Sequence, residues 1–254
     1  MVFFASGNLP AFHSFPPLVI SSLVFWSTLL IYQINTKAKI NISVQALHRS
    51  SLRFSSQQGT AIIILLVIVF GHVPFLQATT IVFLFHLGII SILYNVPDRH
   101  AGHPFLPLRF IPVLKIFLIA YVWAALASLL PGVIARQPLC STFYVYSFVS
   151  HFSFILAITL PFDIRDYKAD QLSQLVTIPQ LIGLVPTKIL ALLCLGVFAA
   201  FARSHIHPVY FIVFLSITAL LILFASAQRH RLYYVFCLDG TIILYFIAIT
   251  LSVI

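Results

Sequence analysis

Apolar stretches close to the roughly 20 residues that a helix needs to cross a bilayer recur along nearly all of this 254-residue chain. Eight such spans can be drawn, over residues 16–34, 59–76, 79–96, 111–131, 143–160, 187–202, 208–227 and 235–253. The connections between them are too short to hold a soluble domain. Charged residues are 7% of the chain against a hydrophobic share of 61%, far from the roughly one-quarter charged of soluble domains. The chain therefore reads as one integral membrane domain over residues 1–254, all-α and multi-pass, with its helices packed as a bundle in lipid. The start "MVFFASGNLP" lacks a basic n-region, so no signal peptide is expected.

A net charge of +9 raises nucleic acid as a partner, but no basic block is dense enough for such a footprint. The positive charge follows the membrane spans instead. With the C-terminal end of the first span cytoplasmic, that side holds Lys37, Lys39, Arg49, Arg53, Arg99, Arg109, Lys115, Arg165, Lys168, Lys188, Arg229 and Arg231. The other side holds only Arg136 and Arg203. Twelve against two supports both the span count and the orientation. The expected location is a cell inner membrane, with the end of the fifth span at the cytoplasmic face.

The same place carries most of the negative charge. The chain has five acidic residues and no glutamate, and "LPFDIRDYKAD" (residues 160–170) holds three of the five. Asp163, Asp166 and Asp170 are spaced i, i+3, i+7, within roughly 60° of arc on one helical face. Like charges on one face repel, so a positive partner is expected opposite them. Arg165 and Lys168 are close in sequence but point elsewhere on the wheel. Oxygen ligands at this spacing suit Mg²⁺, which keeps several waters and bridges one or two carboxylates to substrate phosphates. A solvated loop balanced by lysines is the bland alternative. The acid-poor background and the position beside a span favour a site.

The longer stretch "FDIRDYKADQLSQLVTIPQLIG" (residues 162–183) resembles the second aspartate-rich motif of the UbiA superfamily of intramembrane prenyltransferases. Asp163, Asp166, Asp170, Thr177, Ile178, Pro179 and Gly183 match that pattern, while Gln174 stands where the family has glycine. The resemblance implies eight or nine helices around a cavity open to the cytoplasmic leaflet. It implies Mg²⁺ held against a prenyl diphosphate, and transfer of the prenyl group to an aromatic or other lipid-soluble acceptor. Some of the 25 phenylalanines and 10 tyrosines would then face the allylic cation, the rest being packing and interface belts.

The family's first motif, N-D-x-x-D-x-x-x-D, is not matched. Its place is "LLIYQINTKAKINI" (residues 29–42), which contains no acid. Gln33 and Asn35 offer amide oxygens there, and Lys37 and Lys39 bring positive charge. The expected assignment is Mg²⁺ at Asp163, Asp166 and Asp170, and diphosphate at Lys37, Lys39, Arg165 and Lys168; no catalytic residue is assigned. The alternative is a non-catalytic UbiA-like protein that binds a polyprenyl lipid or a partner protein. A transporter is a third reading, weakened because the acids gather at one surface and not at the midplane. Families of this kind often carry a helix before the first motif, and residues 1–15 precede the first span here.

Other polar residues have plainer expected roles. Asp239, just inside the eighth span and a few residues from Arg229 and Arg231, could face the same cavity as a further ligand or base, but pairing with a basic residue near the interface is the favoured expectation. His86 and His151 are expected to hydrogen-bond across helices. "HIH" (residues 205–207) has no third ligand nearby. The loop with Asp98, Arg99, His100 and His103 reads equally as a lid or an ordinary connection. Cys140, Cys194 and Cys237 match no metal or redox spacing.

Overall fold

The computed structural model describes residues 17–45, 52–95, 113–172, 176–202 and 207–253, with the side chains of 17–18, 35–45, 52–58, 95 and 253 outside the description. Most of those residues are helical, and no strand occurs among them. The chain divides into two compact units at Leu108–Arg109.

The first unit contains α1 (Pro17–Gln45), α2 (Leu52–His72), a single 3₁₀ turn (Val73–Phe75) and α3 (Ala78–Asn95). Its apolar segments run over Val19–Ile34, Gly59–Phe75 and Ala78–Tyr94. A polar link ties α1 to α2: the His72 Nδ1–H donates to the Ile68 carbonyl at 2.7 Å, and Nε2 meets Ser22 Oγ at 2.9 Å. Much of the remaining surface is apolar, with Phe70, Phe85 and Val82 exposed, as expected of helices facing lipid.

The second unit contains α4 (Leu114–Ile134), α5 (Thr142–Leu172), the short α6 (Ile178–Ile182), α7 (Leu184–Ala202), α8 (Pro208–Leu223) and α9 (Tyr233–Ser252). Of these, α4, α5, α7 and α9 are each long and apolar enough to cross a membrane, and α8 is a shorter apolar helix. Every one of the eight expected spans thus falls on an apolar helix. The fold is an all-helical membrane bundle.

The fifth span departs most from expectation. Drawn to end at residue 160, it continues through Pro161 to Leu172, making a helix of 31 residues. Proline removes one ladder hydrogen bond, a loss that neighbouring groups in a bundle can absorb, and Pro161 is buried among them. At 1.5 Å per residue α5 is roughly 46 Å long, against a hydrocarbon core of ~30 Å. The helix is thus about three turns longer than the apolar layer requires, and its last three turns, past the apolar stretch of residues 143–160, carry the three aspartates.

Two devices let the helices of this unit approach closely. Ala120, Ala124, Ala157 and Ala191 are fully buried, the small-residue contact typical of membrane bundles. At Gly132 a Cβ would stand 2.8 Å from side-chain atoms of both Leu139 and Tyr144, so glycine lets these two side chains close against the chain reversal from α4 into α5. Deeper in, Phe154 of α5, Phe198 of α7, Phe214 of α8 and Tyr245 of α9 form a cluster. All their ring centroids lie between 5.0 and 5.9 Å of one another. One ring from each of four helices joins them at a single point, each pair contributing about 0.5–1.5 kcal/mol beyond its buried area.

Candidate functional site

The polar end of the second unit is assembled where α4, α7 and α9 begin and α5 and α8 finish. Lys115 lies in the first turn of α4, and its Nζ donates to Asp163 Oδ1 of α5 at 3.1 Å. The Asp163 side chain is only 4% exposed and that of Lys115 is 31% exposed. A carboxylate buried to this degree requires a partner, and Lys115 is the positive group that the aspartate spacing demanded. The charge partition alone gives it no role beyond flanking the membrane. Its place just inside the fourth expected span was the available signal, because ionisable residues in spans are functional suspects.

Asp166 is held differently. Arg165 Nε donates to its Oδ1 and Arg165 Nη2 to its Oδ2, both at 2.7 Å, the parallel fork that guanidinium and carboxylate form best. This corrects the helical-wheel expectation that Arg165 points away from the acidic face. Adjacent positions are ~100° apart, but the long arginine side chain folds back across that angle. Its guanidinium also lies against the rings of Phe162, at 5.0 Å, and Tyr234, at 5.4 Å. Lys168, in contrast, is exposed, away from the buried flank that carries Asp163 and Asp170.

Asp170, one turn beyond Asp166, is buried like Asp163, and the charges of Lys115, Asp163, Asp166 and Arg165 all act on it. The short α6 follows. The Val113 N–H donates to the Val176 carbonyl at 3.4 Å, bringing the start of α4 beside the residues that lead into α6. Thr177 caps α6 through its backbone carbonyl, which accepts from the Gln180 and Leu181 N–H groups. Thr177 Oγ1 and Gln180 Nε2 are both buried without a hydrogen-bond partner, an unusual state for buried polar atoms. Gly183, with φ of 92°, closes α6 in a backbone region that strains any other residue.

Around this cluster, Lys188 of α7 donates to the terminal carbonyl of α8, Leu223 O, at 2.8 Å. Arg229 lies 5.8 Å from the Tyr233 ring centre. Thus Lys115, Arg165, Lys168, Lys188, Arg229 and Arg231 gather at one end of this unit, as the charge partition requires. Asp239 is exposed at the start of α9 and forms no ion pair among the described residues; the charge of Arg165 is the cationic influence on it. The expected pairing with Arg229 or Arg231 is not formed, because Arg229 stacks on Tyr233. His151 bonds within its own helix, Nδ1–H to the Ser147 carbonyl at 2.7 Å, with its ring edge-on to Tyr245. His86 is exposed on α3.

The side chains of Asn35, Lys37 and Lys39 lie outside the described residues, as do Asp98, Arg99, His100, His103, Gln174 and His205. Among the described residues no three His, Cys, Asp or Glu side chains are grouped to hold a metal by themselves. The donor set does not make a closed metal cage. It fits a hard cation that takes one or two carboxylates and completes its shell with water and phosphate oxygens, the habit of Mg²⁺. The arginine fork takes one lone pair from each Asp166 oxygen and leaves others available.

No family model and no curated protein matches the chain. Among solved structures, it is similar to a digeranylgeranylglyceryl phosphate synthase studied in membranes, with a TM-score of 0.58 over 99% of this chain and 90% of that one, at 15% identity. The two chains share their fold. At this identity the likeness concerns the course of the helices, into which the aspartate turns of α5 are set.

Proposed function

We propose that this chain is a membrane prenyltransferase, moving a prenyl group from a prenyl diphosphate to an aromatic or other lipid-soluble acceptor in an Mg²⁺-dependent reaction. The observation that supports this best is the buried acidic face of α5, Asp163 and Asp170 with Asp166 between them, at the edge of the apolar layer beside Lys115. A diphosphate headgroup would be held at that edge while its isoprenoid tail lies along the apolar helices. Asp163, Asp166 and Asp170 would hold Mg²⁺, which when bound offsets the charge developing on the leaving diphosphate. The prenyl C1–O bond breaks with its electron pair leaving on diphosphate. The acceptor then bonds to C1 and gives up a proton.

One feature favours a second reading. Asp163 and Asp166 already have cations, and residues 29–42 contain no acid to recruit further metal. A non-catalytic protein that holds a polyprenyl lipid would need nothing more. The deciding experiment incubates purified protein in lipid nanodiscs with labelled prenyl diphosphates of graded length, a lipid-soluble acceptor, and Mg²⁺ or chelator. Release of diphosphate with a labelled lipid product, lost with chelator or in Asp170→Asn, is expected. Donor binding without product from any donor would establish the lipid binder. Sidedness is tested separately: a cysteine at Lys168 should be labelled only from the cytoplasm and one at Arg136 only from outside. Labelling of both from the same side would end that assignment.

A further inference from the structure

We infer that Arg165 is a positioning residue and not a diphosphate ligand: it sets the orientation of Asp166 by clamping the end of α5 to the π-helical start of α9. This inference rests on the prenyltransferase reading only for the identity of the bound anion. Arg165 uses Nε and one terminal nitrogen on Asp166, both at 2.7 Å. Its planar face lies against Phe162 and Tyr234, whose own centroids are 5.5 Å apart. The fork engages the Nε–H and one Nη2–H of the guanidinium, so a phosphate that drew it away would take it off both rings and leave the half-buried Asp166 without its cation.

The Tyr234 platform is itself fixed. Its ring is fully buried. Its hydroxyl donates to the Ser226 carbonyl at 2.8 Å and accepts from the Ser226 N–H at 2.9 Å, fastening it to the turn between α8 and α9. Tyr234 stands in the π-helical stretch Tyr233–Leu238, a distortion of the helix ladder that recurs at functional sites. The chain of contacts therefore runs from the Ser226 turn to Tyr234, to Arg165, to Asp166. An outer partner that orients a ligating carboxylate in this way typically changes affinity about 10–100-fold when removed. The segment that begins α9 governs the site without touching what binds there.

The test separates charge from geometry. Inorganic diphosphate affinity with Mg²⁺ is measured by calorimetry for wild type, Arg165→Lys, Arg165→Gln and Tyr234→Leu. In parallel, spin labels at the native Cys237 and at Leu172→Cys, with Cys140 and Cys194 replaced by alanine, report the separation of the α5 end from the α9 start. Lysine keeps the charge and loses the fork and the stacking. Arg165→Lys is therefore expected to weaken binding at least about tenfold, as much as Arg165→Gln does. Tyr234→Leu should reproduce that loss, and the interspin distance distribution should broaden in all three. Wild-type affinity in Arg165→Lys together with loss in Arg165→Gln would overturn the inference, as a direct charge ligand behaves that way. Unchanged distances in Arg165→Lys, the variant that spares the buried tyrosine, would overturn it too. If wild type binds no diphosphate, the functional reading fails and the distances alone decide the clamp.

Discussion

The two halves of α5 are satisfied by opposite means. Around Phe154 the helix meets α7, α8 and α9 through rings that need no partner beyond one another. Nine residues later Asp163 is just as deeply buried, and its place depends on a single lysine from α4. Aromatic packing is spread over many weak contacts and degrades gradually. A buried carboxylate is held by one strong pairing and fails all at once when that pairing is removed. The same helix thus has a half that carries stability and a half in which charge is held ready for exchange. A bound anion can compete for Lys115, but nothing competes for Phe154.

The largest expected effect lies in the apolar half. Phe154→Ala removes the ring shared by all partners in the cluster and should cost about 3–5 kcal/mol, read as a lowered unfolding midpoint in detergent. A loss under 1 kcal/mol would mean that the cluster is not the pin described. Next comes Lys115→Ala, which leaves Asp163 buried without its cation. A loss of up to about 3 kcal/mol is expected, reduced from the fully buried case because the lysine is partly exposed. Adding Asp163→Asn should restore much of it, since the amide needs no counter-charge. If the double variant is no better than the single, the lysine acts through its stem and the contrast between the halves weakens. The smallest effect belongs to Lys168→Gln, which should shift the midpoint by less than about 0.5 kcal/mol. Diphosphate affinity in that variant should fall no more than a dispersed surface charge explains. A loss matching that of Asp170→Asn would return Lys168 to the binding set.

Much of this was legible in one dimension because membrane burial leaves a coarse record. A helix that must hide its backbone from lipid writes its length as a run of apolar residues, so eight of the nine helices named above, all but the short α6, were visible without any contact being known. Positive charge sorts to one side for reasons of insertion, and the second unit places its cations at one end accordingly. The aspartate spacing announced a single helical face, and the structure buries Asp163 and Asp170 on it. Where α5 ends was not legible. Pro161 reads as a stop in local terms, and only the packing around it lets the helix run on. Pairings were also beyond reach of the chain alone. Asp163 and Lys115 are 48 positions apart, and no local rule selects one lysine among several flanking charges. The choice of Asp166 for Arg165 depends on Tyr234, a residue 69 positions further along, whose ring gives the guanidinium a surface to lie on. Sequence by itself determined which residues are buried in lipid and which carry charge, because solvation acts on each residue separately. Which charge meets which was decided by tertiary structure, because it depends on distances set by the packing of whole helices.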